Sequence, residues 1–386
     1  MNVKLVTKSN LSILFEMDSM KSFIKYPGGK ARELKHILNA LPPTISNYYE
    51  PFVGGGSVLF SLNDLSINDY FINDTSQELI GLYQSIKFDD TNFFNLLNSL
   101  NDLLHFLIDL EDTIEFKNSI KDYNESILDP FLICSLENQQ LNHLLSLFSF
   151  TSYDFIESFK IESFRRFKKL SIYQFKMNKI DVISSAHTSL HAALFVLLRK
   201  LYNKISFSNK ALKLVLYYYI REFSYSGMFR YNSSGSFNAP YGGFSYNKKT
   251  FDEKLKQISN KGEINNFLKN VNIYNNDFET FFDTFLLHNS DFIFLDPPYD
   301  SNFSSYSNNA FTQDDHERLA NFLKTKCIAN FMLVIKKTDF IDSLNSEEEP
   351  ICYSKKLHVY DFSNLYSVNF KSRNDRQVTH LLVTNY

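Results

Sequence analysis

Short apolar runs without helical period stand near both ends of this chain, and a long stretch of helical period separates them. The clearest run is Asp291-Phe292-Ile293-Phe294-Leu295-Asp296, stopped by an acid and two prolines, which predicts a buried strand presenting a carboxylate at its end. Asn47 to Glu50 and Tyr70 to Asp74 repeat that plan, and the run at Tyr274 closes on Asp277. From about Ser85 to Ser206 the apolar positions fall at helical spacing instead, as in Phe94, Leu97, Leu100, Leu103 and Leu104. A helix near Asp314 to Leu323, a strand at Phe331 to Ile335 and a last strand at His380 to Tyr386 complete an alternating α/β pattern.

The chain has 386 residues, enough for one large domain or two ordinary ones. Its formal net charge of -3 and pI near 6.3 argue against a protein that coats nucleic acid non-specifically, so phosphate binding must come from local patches. Three widely spaced cysteines, Cys134, Cys327 and Cys352, form no metal-like pattern and read as reduced thiols of a cytoplasmic protein. No apolar run approaches bilayer length, and residues 1–20 lack a signal-peptide plan and read as a dispensable tail.

Glycine-bearing motifs add chemistry. Tyr26-Pro27-Gly28-Gly29-Lys30 predicts a turn into a helix over Ala31 to Leu41, with Lys30 at the helix start. Glu50-Pro51-Phe52-Val53-Gly54-Gly55-Gly56-Ser57 is a strand end, a triple glycine and a helix onset, the entry of a nucleotide-type site. Its glycines are contiguous and no phosphate-binding lysine follows, which counts against a dehydrogenase or a P-loop enzyme. Asp74, roughly twenty residues on, is placed to accept both ribose hydroxyls and could equally cap the next helix, two roles that can hold at once.

After Asp296, Pro297 and Pro298 remove two N–H donors and leave carbonyls free to accept, and Tyr299 offers a flat ring; together these suit a planar ligand carrying an amino group. The block Tyr225 to Gly243 reads as a hairpin or ordered loop in which Arg230 suits a guanine edge and Tyr225 a base stack. Phe159 to Lys179 carries a basic aromatic strip, either a solvated helix face or a phosphate track. His187 and His191 stand four apart without the flanking glutamate of a zinc motif.

Lys25-Tyr26-Pro27-Gly28-Gly29-Lys30, Glu50 to Ser57, Asp277-Phe278 and Asp296-Pro297-Pro298-Tyr299, in that order, resemble the Dam-type (α group) DNA adenine-N6 methyltransferases over residues 21 to about 85 and about 205 to 386. The resemblance implies a Rossmann-like seven-stranded methyltransferase sheet that binds S-adenosylmethionine, over 21–85 and 270–386. A helical and hairpin target-recognition domain is expected at 86–269. Tyr26, Lys30, Glu50, Pro51, Phe52, Gly54, Gly55, Ser57, Asp74 and Asp296 would line the cofactor site, with Asp277 and Phe278 at its adenine. Lys25 and Arg230 would read guanine, Tyr225 would enter the stack, Pro240 would lie against a thymine, and Met228 and Asn232 would share the DNA surface. The implied partner is double-stranded DNA, with GATC the preferred site, and a cognate restriction endonuclease is a candidate companion. Neither a metal nor a membrane is expected.

This sequence departs from the family at Tyr26, where tryptophan is usual, at Gly243, where a basic residue is common, and in a longer lobe at about 86–204. The expected reaction is direct methyl transfer to an extruded adenine. Alternatives are cytosine-N4 or RNA adenine methylation and a catalytically inactive DNA-binding relative. Serine is commoner at the head of the catalytic motif in cytosine enzymes, so Asp296 favours adenine.

Overall fold

The computed structural model describes residues 20–113, 138–173, 179–227, 230–298, 311–336, 356–365 and 377–386. Two compact units emerge: Met1–Ser22, Gly28–Gln84 and Asn266–Tyr386 make the first, and Phe23–Pro27 with Ser85–Asn265 the second.

The first unit is built on a sheet of seven strands among the described residues: β1 (Asn47–Glu50), β2 (Asp69–Asn73), β3 (Val271–Tyr274), β4 (Phe292–Leu295), β5 (Asn330–Lys336), β6 (His358–Leu365) and β7 (Gln377–Thr384). Their spatial order is β3-β2-β1-β4-β5-β7-β6, with β7 antiparallel to its neighbours β5 and β6 and the other pairings parallel. This is the Rossmann-like methyltransferase architecture expected above. All four residues of β4 are buried, as a central parallel strand covered on both faces demands. Asp291, fully buried at its start, accepts from Asn47 Nδ2 (2.9 Å) and the His288 N–H (2.8 Å), which ties the entries of β4 and β1 together.

Short helices α1 (Leu34–Asn39) and α2 (Ser57–Ser61), with α3 (Gln77–Lys87), follow the turn at Pro27-Gly28, the triple glycine and β2. Helix α1 is shorter than the Ala31 to Leu41 span expected, because residues 31–33 form a turn and Pro42-Pro43 ends the run. Asp74 does not cap α3: the Ser76 hydroxyl takes the Leu79 N–H, and Asp74 Oδ1 accepts from the Ser76 N–H. The last strand begins and ends earlier than His380 to Tyr386, and Tyr386 instead donates its hydroxyl to the Ala40 carbonyl.

In the second unit, α4 (Thr91–Asp112), α5 (Gln139–Ser146), α6 (Ser152–Tyr173), α7 (Lys179–Lys204) and α8 (Lys210–Phe223) form the lobe, followed by α9 (Asp252–Ile258) and α10 (Glu263–Leu268), whose last residues pass into the first unit. Helix α8 is buried on every side from Leu214 to Phe223, Tyr217, Tyr218 and Tyr219 included, the sign of a central helix. On α6, Lys160 pairs with Glu157 while Arg165 and Arg166 share Glu162, so these members of the basic strip are partly balanced along their own helix. His191 Nε2 lies 2.6 Å from the buried Glu111 carboxylate, and His187 Nδ1 lies 3.4 Å from its other oxygen. Among the described residues of the loop after α8, two isolated antiparallel bridges link Ser224 to Tyr241 and Tyr231 to Phe237.

Candidate active site

In an open parallel sheet a ligand sits beyond the carboxyl ends of the strands, where the strand order reverses. Here that point lies between β1 and β4: β2 and β3 continue to one side, and β5 to the other. The Glu50 to Ser57 loop leaves the carboxyl end of β1, and Asp296-Pro297-Pro298 leaves that of β4.

Lys30 Nζ lies 2.6 Å from Asp296 Oδ2, and both groups are largely shielded from water, with side chains 4% and 20% exposed. Glu50 is buried beside them and accepts the Tyr48 hydroxyl at 2.9 Å. Burial before all else pushes the Glu50 carboxyl well above the usual range; the Tyr48 hydroxyl opposes this, and the charges of Asp296 and Asp74 add to it. Three acids thus share this end of the sheet with one lysine. Lys30 pairs with Asp296 and burial favours a proton on Glu50, which leaves Asp74 to meet a cationic ligand.

The glycine loop is braced from several sides. Gly54 donates its N–H to Asp74 Oδ2 (3.2 Å), and its carbonyl accepts from the Tyr83 hydroxyl (3.2 Å). The Ser22 hydroxyl reaches the Gly55 carbonyl at 2.5 Å. Gly56 has φ +70°, and a Cβ there would sit 2.5 Å from the Tyr83 hydroxyl oxygen and 2.8 Å from the Phe60 ring, so only glycine lets the chain turn into Ser57 and α2. Asn73, buried at the end of β2, donates to the carbonyls of Pro51 (3.1 Å) and Asn276 (2.9 Å) and accepts the Asn276 N–H (2.8 Å), joining the ends of three strands.

Asp277 lies past the end of β3 and caps the short helix α11 (Phe278–Phe282) by accepting the Glu279 N–H. Its carboxylate is also bound by Arg318 of α12 (Gln313–Thr325), Nη2 to Oδ1 2.5 Å, and the same guanidinium reaches Glu279 and Asp315. The Phe278 ring lies beneath it at 4.8 Å and beside Phe52 at 5.7 Å. Lys30, Glu50, Pro51, Phe52, Gly54, Gly55, Ser57, Asp74, Asp277, Phe278 and Asp296 therefore all belong to the first unit.

Tyr26 belongs to the second unit, where the Arg221 guanidinium lies 4.8 Å from its ring. Lys25, Tyr225, Arg230, Asn232 and Pro240 are in that unit too. Tyr225 is 44% exposed, and its N–H donates to the Pro240 carbonyl. Arg230 is exposed and donates from Nε (3.3 Å) and Nη2 (2.8 Å) to the Asn238 carbonyl, which anchors its guanidinium to its own loop. Asn232 Oδ1 accepts from the N–H groups of Ser234 and Ser236, so it shapes the loop tip. Met228 and Tyr299 lie outside the described residues.

Asn73, Tyr83 and Arg318 escaped the sequence reading, since each acts on a partner far along the chain and none sits in a glycine or Pro-Pro motif. Among the described residues no helix is long and apolar enough to cross a membrane, and no cluster of three His, Cys, Asp or Glu is arranged to hold a metal ion.

Comparison with known proteins places the chain. The family described as D12 class N6 adenine-specific DNA methyltransferase matches residues 26–129 and 166–360. The chain is 27% identical to the Type II methyltransferase M.CviBI of Paramecium bursaria Chlorella virus NC1A, over 95% of this chain and 100% of that one. It is 28% identical to the Type II methyltransferase M.MjaIII of Methanocaldococcus jannaschii, over 79% and 80%. A DNA adenine methylase of Vibrio cholerae is 36% identical over 27% of this chain and 36% of its own.

Proposed function

The chain belongs to the D12 class N6 adenine-specific DNA methyltransferase family, and on that premise we propose that it transfers a methyl group from S-adenosylmethionine to adenine N6, with the strand ends of β1 and β4 as the reaction centre. The observation that carries this is the pairing of Lys30 with Asp296 where the strand order reverses. S-adenosylmethionine supplies an electrophilic methyl on a sulfonium, and the acids Asp74 and Asp296 at these strand ends, with Glu50 buried beside them, support a cationic donor there.

The exocyclic amine of adenine is a weak nucleophile because its lone pair is conjugated with the ring. Asp296 and the Pro297 carbonyl accept its two N–H groups, which draws the lone pair out of conjugation and aims it at the methyl. Lys30 fixes the carboxylate for that task. Asp74, which already holds the Gly54 N–H, takes the ribose, and Phe278 with Phe52 packs against the cofactor's adenine. Tyr299, next in the chain, stacks on the extruded base.

The Arg230 loop, with exposed Tyr225 and Pro240, supports double-stranded DNA as substrate and GATC as its site. The relatives named Type II methyltransferases support a place beside a restriction endonuclease. Sequencing methylated bases in DNA from cells expressing this chain, with Asp296→Ala as control, tests the reaction, the base and the site together. N6-methyladenine in GATC that vanishes in the variant is the expected outcome. Modified cytosine, or no modified base, overturns the reading.

A further inference from the structure

Glu222 sits in the last turn of α8 and is fully buried. Both placements are unfavourable for a carboxylate, since the helix end is itself negative and burial strips away water. Lysines compensate. Lys249 Nζ lies 2.6 Å from Glu222 Oε2 and 2.7 Å from its carbonyl, and Lys254 Nζ lies 3.5 Å from Oε1. The main-chain N–H of Lys25 donates to Oε1 at 2.8 Å.

The same residues converge on one half-buried ring. Lys25 Nζ donates to the Tyr246 hydroxyl (3.3 Å) and lies 4.6 Å from the ring centre, and Lys249 Nζ lies 5.5 Å from that centre. A Cβ at Gly242 would meet the Tyr246 ring at 2.5 Å, so a glycine beneath the ring sets its position. The ammonium groups of Lys249 and Lys254 and the main-chain N–H of Lys25 share one buried carboxylate, so positive charge is in local excess on a chain whose overall charge is -3.

We propose that Glu222 is a positioning residue for DNA binding: it fixes the main chain of Lys25, the residue expected to read guanine, and holds the ammonium of Lys249 near the Tyr246 ring, where that ammonium takes one backbone phosphate. The proposal rests on the DNA-methylation reading above and adds a contact to the backbone rather than to a base.

Burial drives the Lys249 ammonium down to about 8 against the pull of Glu222, with the charges of Lys25 and Lys254 adding to the fall. Burial pushes the Glu222 carboxyl up, yet Lys254, Lys249 and the Lys25 N–H outweigh it and hold it below its ordinary range. Glu222 therefore stays charged near neutrality while Lys249 loses its proton through mild alkali, and DNA affinity should fall over that window.

The test uses the full chain and a DNA duplex containing its methylation site, with affinity read by fluorescence anisotropy from about pH 7 to about pH 9.5. Wild-type affinity is expected to drop as pH passes the Lys249 value. Glu222→Gln is expected to raise the KM for DNA about tenfold, to change kcat by less than about threefold and to leave the cofactor titration unmoved. Lys249→Arg keeps its charge through the window, so its affinity stays flat as pH rises, and this arm decides the matter if Glu222→Gln fails to fold. Wild-type KM in a folded Glu222→Gln chain, or an unchanged pH profile in Lys249→Arg, overturns the proposal while methylation by the wild type stands. A wild type that neither binds nor methylates DNA overturns both readings.

Discussion

Lys30 and Asp296 come from opposite ends of the chain and meet at 2.6 Å, one following the first glycine turn and the other ending the central strand. Proximity of this kind supplies much of a transfer enzyme's rate. Asp296→Ala is expected to lower methylation by about 10²–10⁴-fold with DNA binding retained in a gel shift. Lys30→Met, which leaves the carboxylate in place without its cation, is expected to cost about 10–100-fold in kcat. Wild-type turnover in Lys30→Met would remove the pair from the mechanism.

Gly56 turns the loop at φ +70° under the Tyr83 hydroxyl. Gly56→Ala adds both a left-handed penalty and a clash, and is expected to destabilise the chain by about 1–3 kcal/mol. Urea unfolding reads that cost, and a midpoint equal to wild type would show that the loop relaxes freely.

Burial raises the Glu50 carboxyl, with Asp296 and Asp74 adding to the effect, so the folded chain keeps a proton that the unfolded chain releases at the ordinary glutamate value. Between those two values the native state binds the extra proton, and stability falls as pH rises. Glu50→Gln removes this slope. Unfolding free energies at acidic and neutral pH are expected to decline less in the variant, and parallel declines would contradict the assignment.

Arg318 draws Asp277, Glu279 and Asp315 together, and the hydrogen bonds it donates to Asp277 and Glu279 hold its own proton more tightly than usual. Arg318→Met leaves Asp277 held by the helix cap alone. The KM for S-adenosylmethionine is expected to rise about 5–50-fold with kcat little changed, a loss of uniform binding. An equal loss in kcat would place Arg318 nearer the reacting atoms than its neighbours indicate.

Local pattern alone determined the strand ending in Asp296, the glycine loop after Glu50 and the helical lobe, because apolar period, Pro-Pro stops and contiguous glycines act on the backbone within a few residues. The tertiary structure decided the rest. Asn73 joining three strand ends, Arg318 over Asp277, and Glu222 beneath Lys25 and Lys249 are contacts between residues distant in sequence. The capping role open to Asp74 was also settled in space: a serine two residues on was better placed to cap α3, which left the aspartate to hold Gly54. A polar side chain's partner is set by which segments the sheet order brings together, and no spacing along a single chain encodes that choice.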